Sequence, residues 1–363
     1  MIPDCTLVTA CYDLTKYSNK LRNMQDLINT MKSLLETPCY LVIFTDNSLY
    51  NSIFKIRNEL NLSHLTKFIV KEFEDLNVYK YVDIVKSNRE KYHPTSDERT
   101  CAESHLICCS KFDFVLETIN LNPFNTAKFA WIDSSVGINF SKICLNYKNN
   151  MLLKILNNAT TDKFHIQILN VTDKRFSESD NLREYYNQYR WVVCGGFFLV
   201  GNKDIGIKIL TELNNVFIKT TNSGYGHGEE MFYLEILDKY YDDINRSYGD
   251  YKEIINNFLS INTSVDYIYN YIIKNYLDYG YNRECYECCK KLIMSFENYD
   301  IEINYNIYFL TLFQSYVSSY YIDKTLAKTT VDKILLLIDE NPYIKVEYNK
   351  NKGFYDSQFN YVM

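Results

Sequence analysis

The chain of 363 residues is poor in the residues that punctuate loops and build the commonest nucleotide sites: 11 glycines, 5 prolines and 5 histidines. Neither GxxxxGKS nor GxxxxGKT occurs, so no P-loop is encoded, and no GxGxxG follows the first apolar run, which argues against a dinucleotide fold. GxSxG and HExxH are absent too, removing the nucleophile elbow and the zinc-protease helix. No apolar run reaches about 18 residues, so no membrane span is expected. The opening MIPDCTLVTACYD has neither the basic segment nor the long apolar stretch of a signal peptide. A net charge of −6 without a basic run or basic–aromatic stripe counts against nucleic acid as a partner.

What is abundant is aromatic: 34 tyrosines and 21 phenylalanines, amid many Asn, Ile and Lys. This composition fits an AT-rich coding genome, such as those of large DNA viruses of amoebae, some protists and some bacteria. A cytoplasmic protein is expected, in host cytoplasm or virion if viral. The NxS/T triplets at Asn61, Asn158, Asn170, Asn245 and Asn262 then arise by chance. Hydrophobic residues make up 47% and charged residues 23%, enough for a globular core. The 11 cysteines are odd in number and scattered, and Cys5, Cys39, Cys108, Cys109 and Cys194 sit in apolar runs, as reduced buried thiols do. Cys285, Cys288 and Cys289 lack a second pair or a histidine at ligand spacing, so core packing outranks zinc.

The first two thirds alternate strand and helix. TLVTACY (6–12), CYLVIFTD (39–46), KFIVKEFE (67–74), FAWID (129–133), FHIQIL (164–169) and WVVCGGFFLVG (191–201) read as strands. Helical spacing fills 16–36, 48–60, 97–121, 146–157, 203–217 and 229–241. The order predicts a mostly parallel sheet flanked by helices. From about Thr263 strands stop, and 270–297 has the shape of a tetratricopeptide-like hairpin turning at Tyr279-Gly280. The expected division is an α/β domain over 1–262 and an all-α domain over 263–363.

Two predicted strands end in aspartate, CYLVIFTD and FAWID. In FAWIDSSVG the carboxylate of Asp133 follows a buried strand at its carboxyl end, where open α/β sheets place ligands. A metal or phosphate site is one reading, and a plain Asp-Ser-Ser turn is the other. Gly195 and Gly196, inside a strand, mark either close approach of a ligand or a bulge. Glu229 and Glu230 follow the loop GYGHG, placed either to meet a sugar hydroxyl or act as a base, or to favour a helix N-terminus. His227 reads as a loop residue before a ligand, Trp131 as core, and Arg190 as an exposed arginine before a phosphate contact.

The order of TLVTACYDL, CYLVIFTDN, ERTCAESHLICCSKFDFV, NPFNTAKFAWIDSSVG, CGGFFLVGNKD and GHGEEMF resembles a glycosyltransferase of the GT-A type, and more closely the HtrL/YibB family of predicted glycosyltransferase-like proteins, over roughly 5–245. The resemblance implies a GT-A-like sheet binding a nucleotide-sugar donor, a UDP-sugar, with Mn²⁺ or Mg²⁺. It puts Thr9, Ala10 and Tyr12 by the nucleoside. Asp133 takes the place of the DxD motif, with Ser135 as the second metal position. Gly195 and Gly196 lie beneath the sugars, and Glu229 or Glu230 is the catalytic acid residue facing the acceptor. This chain has Asp-Ser-Ser where the pattern has acids two apart. The acceptor, whether glycan, lipid or protein, is not encoded legibly, and the aromatic-rich helical end could make a homodimer. The alternatives are a catalytically inactive GT-A-like fold acting as a binding or scaffold protein through its helical end, and a nucleotidyltransferase.

Overall fold

The computed structural model describes residues 2–18, 21–91, 101–135, 149–178, 181–187, 191–225, 228–298 and 301–362. They form two units, one of 1–247 with 251–259 and one of 248–250 with 260–363.

The first unit is built on the expected apolar runs. They become β1 (Cys5–Cys11), β2 (Tyr40–Thr45), β3 (Thr66–Val70), β4 (Lys128–Ile132), β5 (Phe164–Ile168) and β6 (Val193–Val200). With β7 (Ile244–Tyr248) they make a seven-stranded sheet in the order β3-β2-β1-β4-β6-β5-β7. β1, β2, β3 and β4 are mutually parallel, whereas β6 runs antiparallel to both β4 and β5. β7, INRSY, lies outside the runs that read as strands and is an addition to the expected set. Its Arg246 is held among the carbonyls of Leu237, Tyr241 and Ile244, which lets a cation lie 7% exposed.

All seven residues of β1 and all eight of β6 are buried, as central strands covered on both faces must be. The cover comes from α1 (Met24–Leu35), α2 (Asn47–Glu59), α3 (Val82–Lys91), α4 (Ala102–Leu121), α5 (Asn149–Asn158), α6 (Leu182–Asn187), α7 (Lys203–Asn222) and α8 (Tyr233–Lys239). α1 starts later than its periodicity suggests, because Asn23 caps it by accepting from the Asp26 amide. Arg57 closes the other end from outside: its guanidinium donates to the carbonyls of Leu35 at 2.8 Å, Thr37 at 2.9 Å and Cys39 at 3.3 Å. That is why a fully buried arginine is tolerated here.

The second unit is helical, as expected. Val265–Tyr267 (α9) runs through a π-helical stretch, Ile268–Ile273, into α10 (Lys274–Asp278). Gly280, at φ +72°, makes the turn into α11 (Asn282–Glu297). Next come α12 (Tyr305–Ile322), α13 (Lys324–Glu340), α14 (Pro342–Asn349) and α15 (Lys352–Phe359). Cys285, Cys288 and Cys289 pack in the core of α11, and no group of three His, Cys, Asp or Glu side chains suited to a metal exists among the described residues. Cys5, Cys39, Cys109 and Cys194 are buried thiols, whereas Cys108 is exposed. No helix among the described residues is long and apolar enough to cross a membrane.

Candidate active site

β4 sits at the centre of the sheet, between β1 and the antiparallel β6. Phe129, Ala130, Trp131 and Ile132 are all buried, and the run stops at Asp133, whose amide donates to the Gly196 carbonyl at 2.9 Å. The strand therefore delivers a carboxylate at its carboxyl end, directly beside the two glycines of β6. Asp133 Oδ1 accepts from the Trp131 indole at 2.7 Å and lies 3.4 Å from the Lys111 ammonium. Trp131 is thus core and also a tether for the aspartate. Oδ2 accepts no hydrogen bond from the described residues, and the side chain is 33% exposed.

Lys111 organises the other half. It is carried by α4 into the interior, its side chain 1% exposed, and its Nζ lies 2.5 Å from Glu229 Oε1 and 3.0 Å from the Gly195 carbonyl. Burial pulls its ammonium towards neutrality, but Asp133 and Glu229 outweigh that and hold it well above the ordinary lysine value. Glu229 and Glu230 sit in a short 3-10 turn, Glu229–Phe232, and are 5% and 8% exposed. Burial pushes Glu229 up, yet the Lys111 charge leaves it below the usual carboxylate range. Glu230 has no such partner. Burial and the adjacent Glu229 charge drive it well above that range. The two adjacent carboxyls are thus pushed in opposite directions, as in pairs that divide acid and base roles.

The glycines make this contact possible. A Cβ on Gly195 would stand 2.9 Å from Glu230 Cγ and 3.3 Å from Glu229 Oε1, and one on Gly196 would stand 3.2 Å from Asp133 Oδ2. Gly201 and Gly206 have other reasons. Their Cβ atoms would meet the Thr161 carbonyl and the Val200 side chain, where strand and helix pack.

Of the residues expected at the site, Asp133, Gly195, Gly196, Glu229 and Glu230 stand together. Ser135 lies in the turn two residues past Asp133 and is partly exposed. Thr9 and Ala10 are buried on β1, and Tyr12 follows it. Tyr12 stacks on Phe114 at 6.1 Å, and Phe114 stacks on Trp131 at 6.3 Å, so an aromatic run leads from the end of β1 to the aspartate. The buried hydroxyls of Thr9, Tyr12 and Thr45 have no hydrogen-bond partner among the described residues. His227 and Arg190 lie outside the described residues. The other strand-end aspartate, Asp46, is a structural group: it caps α2 by accepting from Leu49 N at 3.0 Å and holds the Asp13 amide at 2.6 Å.

Sequence reasoning missed Lys111. Helical periodicity assigns a lysine to solvent; once α4 is seen to be buried round most of its circumference, Lys111, between Ser110 and Phe112, has to find carboxylates.

A mixed sheet with flanking helices, and a strand-end carboxylate set beside a glycine pair, define an α/β protein. The chain belongs to the HtrL/YibB family: residues 3–224 match the family described as "Bacterial protein of unknown function (HtrL_YibB)". No curated protein matches it. The apo crystal structure of mouse xyloside xylosyltransferase 1 is similar over 66% of this chain and 84% of that chain, at 11% identity and a TM-score of 0.36.

Proposed function

We propose that the protein is a glycosyltransferase that takes a sugar from a nucleotide-sugar donor, a UDP-sugar, bound across the carboxyl ends of β1, β2 and β4. The observation that carries this is Asp133. It ends the central strand, one oxygen is pinned by Trp131 and Lys111, and the other is left for a ligand. The likeness of the chain's motifs to GT-A enzymes points the same way.

The donor set decides how a metal would be held. One free carboxylate oxygen with a serine two residues on does not make a self-sufficient metal centre. It does fit a Mg²⁺ or Mn²⁺ completed by the donor's phosphates, since such ions are held through one or two carboxylates plus substrate oxygens. Asp133, with Ser135 near it, would hold the ion, which supplies charge neutralisation to the departing diphosphate. The protein's own groups do the rest. Gly195 and Gly196 let the sugar approach the backbone of β6. Thr9 and Ala10 on β1, and Tyr12 just past it, would lie at the nucleoside end. Glu229 and Glu230 face the acceptor. Glu229 or Glu230 would receive the acceptor hydroxyl's proton, and Lys111 holds the Glu229 carboxylate in place.

The test is a panel of UDP-, GDP- and CMP-sugars, with Mn²⁺, with Mg²⁺ and with chelator, scored for donor hydrolysis in the absence of acceptor. Turnover of a UDP-sugar that Asp133→Ala abolishes is the expected result. Silence across the panel would favour the second reading, a binding protein on the same fold, to which the single free carboxylate oxygen already lends weight.

A further inference from the structure

The helical unit carries a hollow that the chemistry of Asp133 does not use. Tyr316, Val317, Tyr320 and Tyr321 of α12, with Gln358 of α15 and Tyr361 beyond it, enclose a cavity of about 220 Å³. The first four recur at i, i+1, i+4 and i+5, so they share one face of the helix. The floor is fixed: Tyr316 is 3% exposed, and its hydroxyl donates to the Gln358 carbonyl at 2.6 Å, tying α12 to α15. The rim is open. Tyr321 and Tyr361 are 69% and 67% exposed, and Tyr320 meets Tyr321 edge-on at 5.5 Å and 89°.

The lining specifies an occupant. It offers ring faces, phenolic hydroxyls and one amide, with no charged side chain. A metal finds no ionised ligand in the lining, and an anion finds only phenolic and amide donors there, with Lys324 Nζ 5.9 Å from the centre of the Tyr320 ring. A ligand with an apolar face and several hydroxyl groups satisfies both halves of each tyrosine, which is the amphipathic use this side chain favours. Size narrows it further. A cavity of about 150 Å³ holds a benzene ring, so this one holds a six-membered ring with its substituents.

We infer that the hollow is a binding subsite for one pyranose ring of an uncharged glycan. The subsite stands on its own residues, independently of whether the α/β unit transfers sugar. A proline-rich peptide is the other ligand that aromatic grooves take. The ring-sized hollow favours the sugar over an extended chain.

The experiment titrates the full chain with neutral di- to tetrasaccharides of glucose, galactose, mannose, xylose and N-acetylglucosamine, and separately with a proline-rich peptide. Binding is read by saturation-transfer NMR and tyrosine emission. At least one saccharide binds, Tyr321→Ala and Tyr361→Ala each weaken it by roughly five- to tenfold, and Val317→Trp, which fills the hollow, removes it. Both tyrosines are largely exposed, so truncating them leaves the fold intact, which circular dichroism checks. No binding by any saccharide overturns the inference, as does binding that Val317→Trp leaves unchanged, or binding of the peptide in place of sugar. Saccharide binding with these variant effects in a protein that ignores UDP keeps the subsite and removes the donor site. The reverse result separates the two the other way.

Discussion

Lys111 Nζ lies 2.5 Å from Glu229 Oε1 in a setting that leaves the lysine side chain 1% exposed. The pair is the pivot of the site, because the same ammonium also reaches the Gly195 carbonyl and Asp133. A buried pair is neutral to stability when intact and costly when halved. Lys111→Met keeps the stem and deletes the charge, stranding Glu229. Chemical denaturation of this variant should show a loss of about 3–5 kcal/mol. An unchanged midpoint would mean that the ammonium is not where it is described.

Glu230 sets a pH dependence of definite sign. Its folded carboxyl titrates well above the ordinary value of 4.5. The neutral form therefore contributes stability that is fully present below that value and is lost as pH rises through the folded one. Glu229, held below the ordinary range, acts in the opposite sense and only at more acid pH. Glu230→Gln mimics the neutral carboxyl. Denaturation midpoints across the range upward from 4.5 should fall for the wild type and stay flatter for this variant. Parallel profiles would place an ionised carboxylate at Glu230.

The glycine pair and the packing glycines separate by readout. In Gly196→Ala the new methyl stands 3.2 Å from Asp133 Oδ2 and moves the aspartate a few tenths of an ångström, so donor binding suffers more than stability. In Gly201→Ala it meets the Thr161 carbonyl at 2.1 Å and the strand end has to rearrange, at a cost of about 1–3 kcal/mol. UDP titration and thermal melts of the two proteins should therefore rank them in opposite order.

The two strand-end aspartates differ in the same way. Asp46→Ala removes the cap of α2 and the hold on the Asp13 amide, which should cost about 0.5–2 kcal/mol. Its effect should be on the melt, with the metal dependence of ligand binding retained. A metal requirement that disappears in Asp46→Ala would put a ligand role on the wrong aspartate.

The sheet was legible where burial on both faces writes a continuous apolar run, as in YLVIFT and VCGGFFLV. β7 was hidden because Asn245, Arg246 and Ser247 look like a loop until the carbonyls that receive Arg246 are in view. α3 was hidden by its charge: only Val82, Val85 and Asn88 are buried on it. At the site, Asp133, Gly195, Gly196, Glu229 and Glu230 stood out as polar or small residues breaking apolar runs. Lys111 did not, because helical periodicity assigns a lysine to solvent, and only the tertiary meeting of α4 with Glu229 gives it a partner. The distinct jobs of Asp46 and Asp133 were equally out of reach, since both follow a buried strand and differ only in what their oxygens meet.

The most direct test of the central claim is calorimetric titration of UDP into the full chain, with and without Mn²⁺, for the wild type and Asp133→Ala. The account predicts that UDP binds the wild type, that Mn²⁺ strengthens this binding, and that Asp133→Ala loses the metal-dependent part while keeping its fold. Wild-type protein that takes up no UDP in either condition, or a variant that keeps the full Mn²⁺ effect, would contradict it.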